Sequence, residues 1–182
     1  VTPTTKSKAP KPPKATPADV HAKLVAEVKE HTEQVRLTPT YWRSYTSGHG
    51  LKWTPVPFDK ASRSKVPKKP GLYAFAVHPP HSDFPPSAWL FYVGEVGATG
   101  STARTLWVRY AEYLAELDNT VRKKVGSFLY RYRGYTSFYY CVLDPATVDI
   151  KSVESELITA LWPDANIVDF DASVSSIRRA FS

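Results

Sequence analysis

Methionine is absent from the 182-residue sequence, and cysteine occurs once, as Cys141. A lone cysteine in an apolar run (Phe138, Tyr139, Tyr140, Cys141, Val142, Leu143) excludes a disulfide scaffold and leaves a cysteine-based zinc site without partners. Without methionine, Val1 is not a standard initiator, so the expectation is a trimmed chain or part of a longer one. No apolar stretch approaches the roughly 18 residues of a membrane span, and the N-terminus lacks a signal peptide's apolar segment. The expectation is a soluble, cytoplasmic protein with no membrane partner. Acidic residues are missing from residues 1–17, where Lys6, Lys8, Lys11, Lys14 and five prolines stand. Such a segment cannot bury enough apolar surface to offset the entropy of ordering, so 1–17 reads as a disordered basic tail.

The remainder is rich enough to fold. Apolar residues make up 42% and aromatics 13%, and the length suits one domain plus a tail, hence one active site at most. Lysine and arginine number 24 against 17 acidic residues, a net charge of +7 that favours an anionic partner without naming it. Prolines cluster at 1–17, 39–70 and 79–86, and only Pro145 and Pro163 follow, which predicts dense structure after about residue 87.

Thr16 as cap, Pro17 at the first helical position and Asp19 three residues after the cap predict a helix, with Val20, Leu24, Val25 and Val28 as a stripe that packs on something. Residues 18–69 read as that helix followed by an irregular Thr/Pro/Lys-rich connector. Period-two patterning then gives strands over Leu72–Val77 and Trp89–Val93, separated by a proline-broken loop whose His78, His81 and Asp83 read as chance neighbours, not as a metal site. A helix is expected over about 102–117, with Leu106, Tyr110, Leu114 and Leu117 buried and Arg109 and Tyr113 projecting together. A short basic helix over Val121–Val125, ended by Gly126, follows. Phe128–Arg133 alternates aromatic and basic residues, Ser137–Leu143 reads as a buried strand, and a last helix over about 149–162 stops at Pro163.

Singly, the polar residues of these elements have ordinary explanations. Taken together, Gly71-Leu72-Tyr73 after Pro70, Tyr92-Val93-Gly94, a helical Arg109 with Tyr113, a helical Glu154 followed by Leu157 and Ile158, and Pro163 with Asn166 resemble the GIY-YIG nuclease family. The resemblance covers residues 70–166, in order. Glu156 competes with Glu154, but the spacing to Leu157, Pro163 and Asn166 selects Glu154. The resemblance implies an α+β fold with a small central antiparallel three-stranded sheet flanked by helices, in a nuclease domain spanning 70–182.

It further implies a DNA endonuclease that hydrolyses phosphodiester bonds with Mg²⁺ or Mn²⁺ held by Glu154. A hard cation of this kind needs few carboxylates and keeps many waters. Arg109 would offer a planar cationic fork to phosphate oxygens. Tyr73 is the first choice for the base and Tyr92 the second; Tyr113 would orient water or phosphate, and Asn166 would brace the site. Lys123, Lys124, Arg131 and Arg133, with Arg122, Lys65, Lys68 and Lys69, are expected phosphate contacts. Two features depart from the family's usual pattern. Glu95 follows the second triplet where the family often has lysine, and the loops after both triplets are long, as in its restriction-endonuclease branch. Cutting both strands with one site per chain needs a homodimer or two successive events. The alternative is a non-cleaving module on the same fold that binds nucleic acid or a protein.

Overall fold

Thr16 opens the first helix by a reciprocal cap: its hydroxyl accepts from the Asp19 amide at 3.2 Å, and the Asp19 carboxylate accepts from the Thr16 amide at 2.8 Å. This computed structural model describes residues 16–32, 35, 37–46, 48–81, 83–100, 103–118 and 122–166, so the expected basic tail lies outside the described residues except at its last two positions. The chain divides into two compact units, Val1–Gln34 and Val35–Ser182. The first contains helix α1, Pro17–His31. Val20, Leu24 and Val25 are exposed on it, so the packing expected of that stripe is not met among the described residues.

In the second unit, helix α2 (Pro39–Ser44), strand β1 (Thr54–Pro57), a 3₁₀ turn (Ala61–Lys65), β2 (Gly71–Val77), β3 (Trp89–Val96), helices α3 (Leu106–Glu116) and α4 (Lys123–Arg131), β4 (Thr136–Val142) and helix α5 (Ile150–Leu161) follow in order. The fold is α+β with five helices among the described residues and a four-stranded antiparallel sheet in the order β1-β4-β2-β3. No described helix is long and apolar enough to cross a membrane.

The fourth strand, β1, comes from the segment read as irregular connector. Two of its four residues are proline, which argues against a central strand but not against an edge. The Phe58 amide donates to the Thr136 carbonyl at 2.9 Å, so the two-residue repeat turns the Val56 amide toward β4 and leaves Pro55 and Pro57 at the outward positions. There a missing N–H costs no ladder bond.

One face of the sheet carries Tyr73, Phe75, Phe91 and Phe138 and packs on Leu106, Tyr110, Tyr113 and Leu114 of α3 and Val125 and Leu129 of α4. The other carries Leu72, Ala74, Val93 and Cys141 and packs on Ile150, Val153, Leu157 and Ile158 of α5. The α4 helix corrects the reading of 121–133: it passes through Gly126 and continues to Arg131. Val125 and Leu129 are buried one turn apart, Phe128 stacks on Phe91 with ring centroids 5.0 Å apart, and Tyr130 points outward. The aromatic-basic alternation masked a helical period of which Tyr130 is not part.

Beyond α5 the chain turns at Pro163 and lies along the outer edge of β3. Ala165 N–H donates to the Phe91 carbonyl at 2.8 Å, and the Asn166 side chain grips Val93, accepting from its amide at 2.9 Å and donating to its carbonyl at 2.8 Å. A side-chain amide thus completes a ladder that the strand's edge would leave open. Asn166→Ala removes both bonds at a buried site and is expected to lower stability by about 2–4 kcal/mol. A urea midpoint unchanged from wild type would contradict this clasp.

Candidate active site

The register of β2 and β3 sets Tyr73 directly across from Gly94, so the first triplet's tyrosine lies over the second triplet's glycine. A methyl group at position 94 would overlap the Cζ and hydroxyl oxygen of Tyr73. Only glycine leaves room for the phenol to cross the neighbouring strand. Beyond the second residue pair further along, the register shifts, and Phe91 becomes an extra residue between the Phe75–Tyr92 and Ala76–Leu90 pairs. This bulge turns Phe91 and Tyr92 to the same α3-facing side, where strict alternation would have separated them.

Three tyrosines meet there. Tyr73 and Tyr113 share a hydrogen bond between hydroxyls at 3.1 Å, and their ring centroids are 5.7 Å apart. Tyr92 lies 6.0 Å from each. Tyr73 and Tyr113 are buried, whereas Tyr92 is partly open. Burial pushes the Tyr73 phenol well above its usual range, with additions from Tyr113 and Tyr92, while Arg109 pulls it back. Burial also raises Tyr113, and it lifts Tyr110 to about 12. At neutral pH Tyr73 and Tyr113 are therefore uncharged hydroxyls joined by a hydrogen bond that either can donate.

Arg109 stands on α3 one turn before Tyr113, half-buried beside this cluster. Its Nη1 donates to Glu112 Oε2 at 2.6 Å, and its buried Nε has no hydrogen-bond partner among the described residues. Burial opposes the guanidinium's charge, but Tyr73, Glu112, Tyr113 and Tyr92 outweigh it, so Arg109 stays cationic. Arg122 extends the network: its guanidinium carbon sits 4.8 Å from the Tyr113 ring centroid, and it pairs with Glu112 at 3.4 Å and Glu116 at 3.7 Å. A cleft of about 240 Å³ opens beside Arg109, lined also by Glu95, Thr99 and Arg104. Glu95 Oε2 accepts from the Ala98 amide at 3.2 Å and so holds its own loop.

The structure thus brings together Tyr73, Tyr92, Tyr113 and Arg109, and it joins Asn166 to the strand that carries Tyr92. Glu154 comes from the other layer. It is buried on α5, which packs against β3, and Lys151 donates to its Oε2 at 2.6 Å. Lys151 itself is half-exposed, whereas the Glu154 carboxylate it pairs with is buried. One carboxylate fits a hard divalent ion that retains its waters.

Of the expected phosphate contacts, Lys124 pairs with Asp164 at 3.2 Å and helps fasten the Pro163–Asn166 segment. Arg131 and Arg133 are exposed, and the Lys123 side chain lies outside the described residues. His78 stacks on Tyr139 and His81 lies edge-on to Phe84. Sequence reasoning missed Glu112, which its helical spacing from Arg109 could have found, and it read Arg122 as a phosphate contact where the structure pairs it with Glu112 and Glu116.

Two outcomes test this geometry. Gly94→Ala displaces Tyr73 and is expected to cost about 1–3 kcal/mol, whereas Gly48→Ala, where nothing lies near the added methyl, leaves the denaturation midpoint within error. For the phenols, the native state holds protons that the unfolded chain releases at about pH 10, so their stabilisation is complete below that pH and is lost as pH rises toward the native values. Stability is expected to fall with a slope of up to about 1.4 kcal/mol per pH unit for each of Tyr73, Tyr110 and Tyr113. A flat profile through that range would contradict their burial.

Comparison with family models, with curated proteins and with solved structures finds no match for this chain.

Proposed function

We propose that the chain is a metal-dependent DNA endonuclease of the GIY-YIG kind, closest in its loops to the restriction-endonuclease branch. The observation that carries this reading is the convergence of Tyr73, Tyr92 and Tyr113 with Arg109 on one face of the sheet, built by two triplets in adjacent register.

Phosphodiester hydrolysis needs a proton acceptor for water, positive charge for the developing oxyanion and a group that lets the leaving oxygen depart. Arg109 lines the cleft beside the tyrosines, and its unpartnered Nε is a donor in reserve for a phosphate oxygen. Tyr92 is the partly open phenol and, once its own proton has passed to solvent, would accept the proton of the attacking water, with the buried, uncharged Tyr73–Tyr113 hydroxyl pair behind it. Asn166 fixes Val93 and, through it, the direction of Tyr92. Glu154 would hold Mg²⁺ or Mn²⁺, which when bound supplies charge neutralisation for the phosphate and leaving oxygen. Double-strand cutting would draw on two copies of the chain.

A non-cleaving nucleic-acid- or protein-binding module is the second reading. It is favoured by one observation: Arg109 and Glu154 are each already paired, with Glu112 and Lys151. Incubation with supercoiled plasmid in Mg²⁺ and in EDTA separates the two. Metal-dependent nicking or linearisation is expected, with Arg109→Ala and Glu154→Gln each lowering the rate about 100-fold or more while the fold persists. Wild-type rates in Glu154→Gln, or no cleavage of DNA by the wild-type chain, would overturn the nuclease reading.

A further inference from the structure

Residues 60–69 (Lys60 to Lys69) contain five cations, Lys60, Arg63, Lys65, Lys68 and Lys69, and no acid. The segment is pinned to the start of α3: Leu106 N–H donates to the Lys69 carbonyl at 2.9 Å and Trp107 N–H to the Pro67 carbonyl at 3.2 Å. Trp107 gathers two of the cations. The Arg63 guanidinium carbon lies 3.5 Å from its ring centroid and the Lys68 ammonium 4.9 Å. Lys60, Lys65, Lys68 and Lys69 are exposed, and none of the five forms an ion pair among the described residues. The one carboxylate beside the segment, Asp59, is engaged in accepting from the Ser62 amide at 2.7 Å. Arg109 follows Leu106 by three helical residues, about 5 Å along the axis, so these cations and the Arg104–Arg109 cleft belong to the same end of α3.

We propose that this segment is a docking shelf for the phosphate backbone of duplex DNA, leading one strand to the Arg109 cleft. The proposal rests on the nucleic-acid reading above but not on cleavage. A run of cations without ion pairs among the described residues, hydrogen-bonded to the end of α3 that leads to Arg109, matches a polyanion whose charges recur about every 3.4 Å along each strand. The shelf's own chemistry narrows the partner. Residues 60–69 include no aromatic side chain, so they offer no stacking platform for unpaired bases, which single-strand binding uses. Their one large apolar side chain, Val66, is buried, so the shelf has nothing to insert into a lipid surface. Contact falls on phosphates, without sequence preference.

The test is fluorescence anisotropy of a labelled random-sequence duplex with the full chain in EDTA. Charge reversal at Lys65, Lys68 and Lys69 (→Glu) is compared with an equal reversal at exposed Lys23, Arg43 and Lys52 (→Glu). The shelf variant is expected to bind about 10- to 100-fold more weakly at ~0.1 M salt, with the log-log salt slope shallower by about 3, and the control close to wild type. Both variants should keep the wild-type thermal transition. Wild-type affinity and slope in the shelf variant, an equal loss in the control, tighter binding to single-stranded than to duplex DNA, or binding to phosphatidylserine vesicles but not to DNA would each overturn the shelf. Shelf-dependent duplex binding without any cleavage in Mg²⁺ would support the shelf while overturning the nuclease reading.

Discussion

A phenol crossing a glycine is the contact on which the remaining arrangement hangs. Tyr73 can lie across β3 only because position 94 has no side chain, and this crossing brings its hydroxyl to Tyr113 on α3. The same ring stacks on Phe138 of β4 at 5.6 Å, so three strands and one helix are locked in register by a single side chain. Shifting β3 by one residue would replace Gly94 with Val93 or Glu95 and close the space. Glycine here sets a distance between strands as much as a backbone conformation.

Charge is handled around that contact with little left over. A guanidinium beside three phenols in a low-dielectric layer is costly unless it is partnered, and Glu112 supplies the partner from the helix's own next turn. Arg122 then shares Glu112 and reaches Glu116, so two cations and two carboxylates balance across the α3–α4 junction. An incoming phosphate would compete with Glu112 for Arg109. Because Glu112 is partly exposed, it can be released to water at small cost, whereas the buried Glu116 cannot. The network thus has one fixed end and one exchangeable end.

The sequence made the central features readable where local chemistry and period agree. Thr16–Pro17–Asp19 marked α1, Pro163 marked the end of α5, and alternation marked β2, β3 and β4. It failed where a tertiary environment overrode the local signal. Proline in β1 reads as a break until an edge position removes the need for its N–H. Tyr130 completes an alternation that the buried pair Val125 and Leu129 contradicts only once the sheet is in place. In the candidate site, Tyr73, Tyr92, Arg109 and Tyr113 were nameable from triplets and helical spacing. The bulge at Phe91, which aims Tyr92, and the use of Lys124 to fasten Asp164 depend on register and long-range pairing, which no single segment encodes.

Both margins of the sheet have been closed by different means: prolines face outward on β1, and the Ala165–Asn166 segment covers β3. Fewer free amides at these positions leave less for a strand from another copy to pair with. Strand exchange and fibre-like stacking are therefore disfavoured at these two edges.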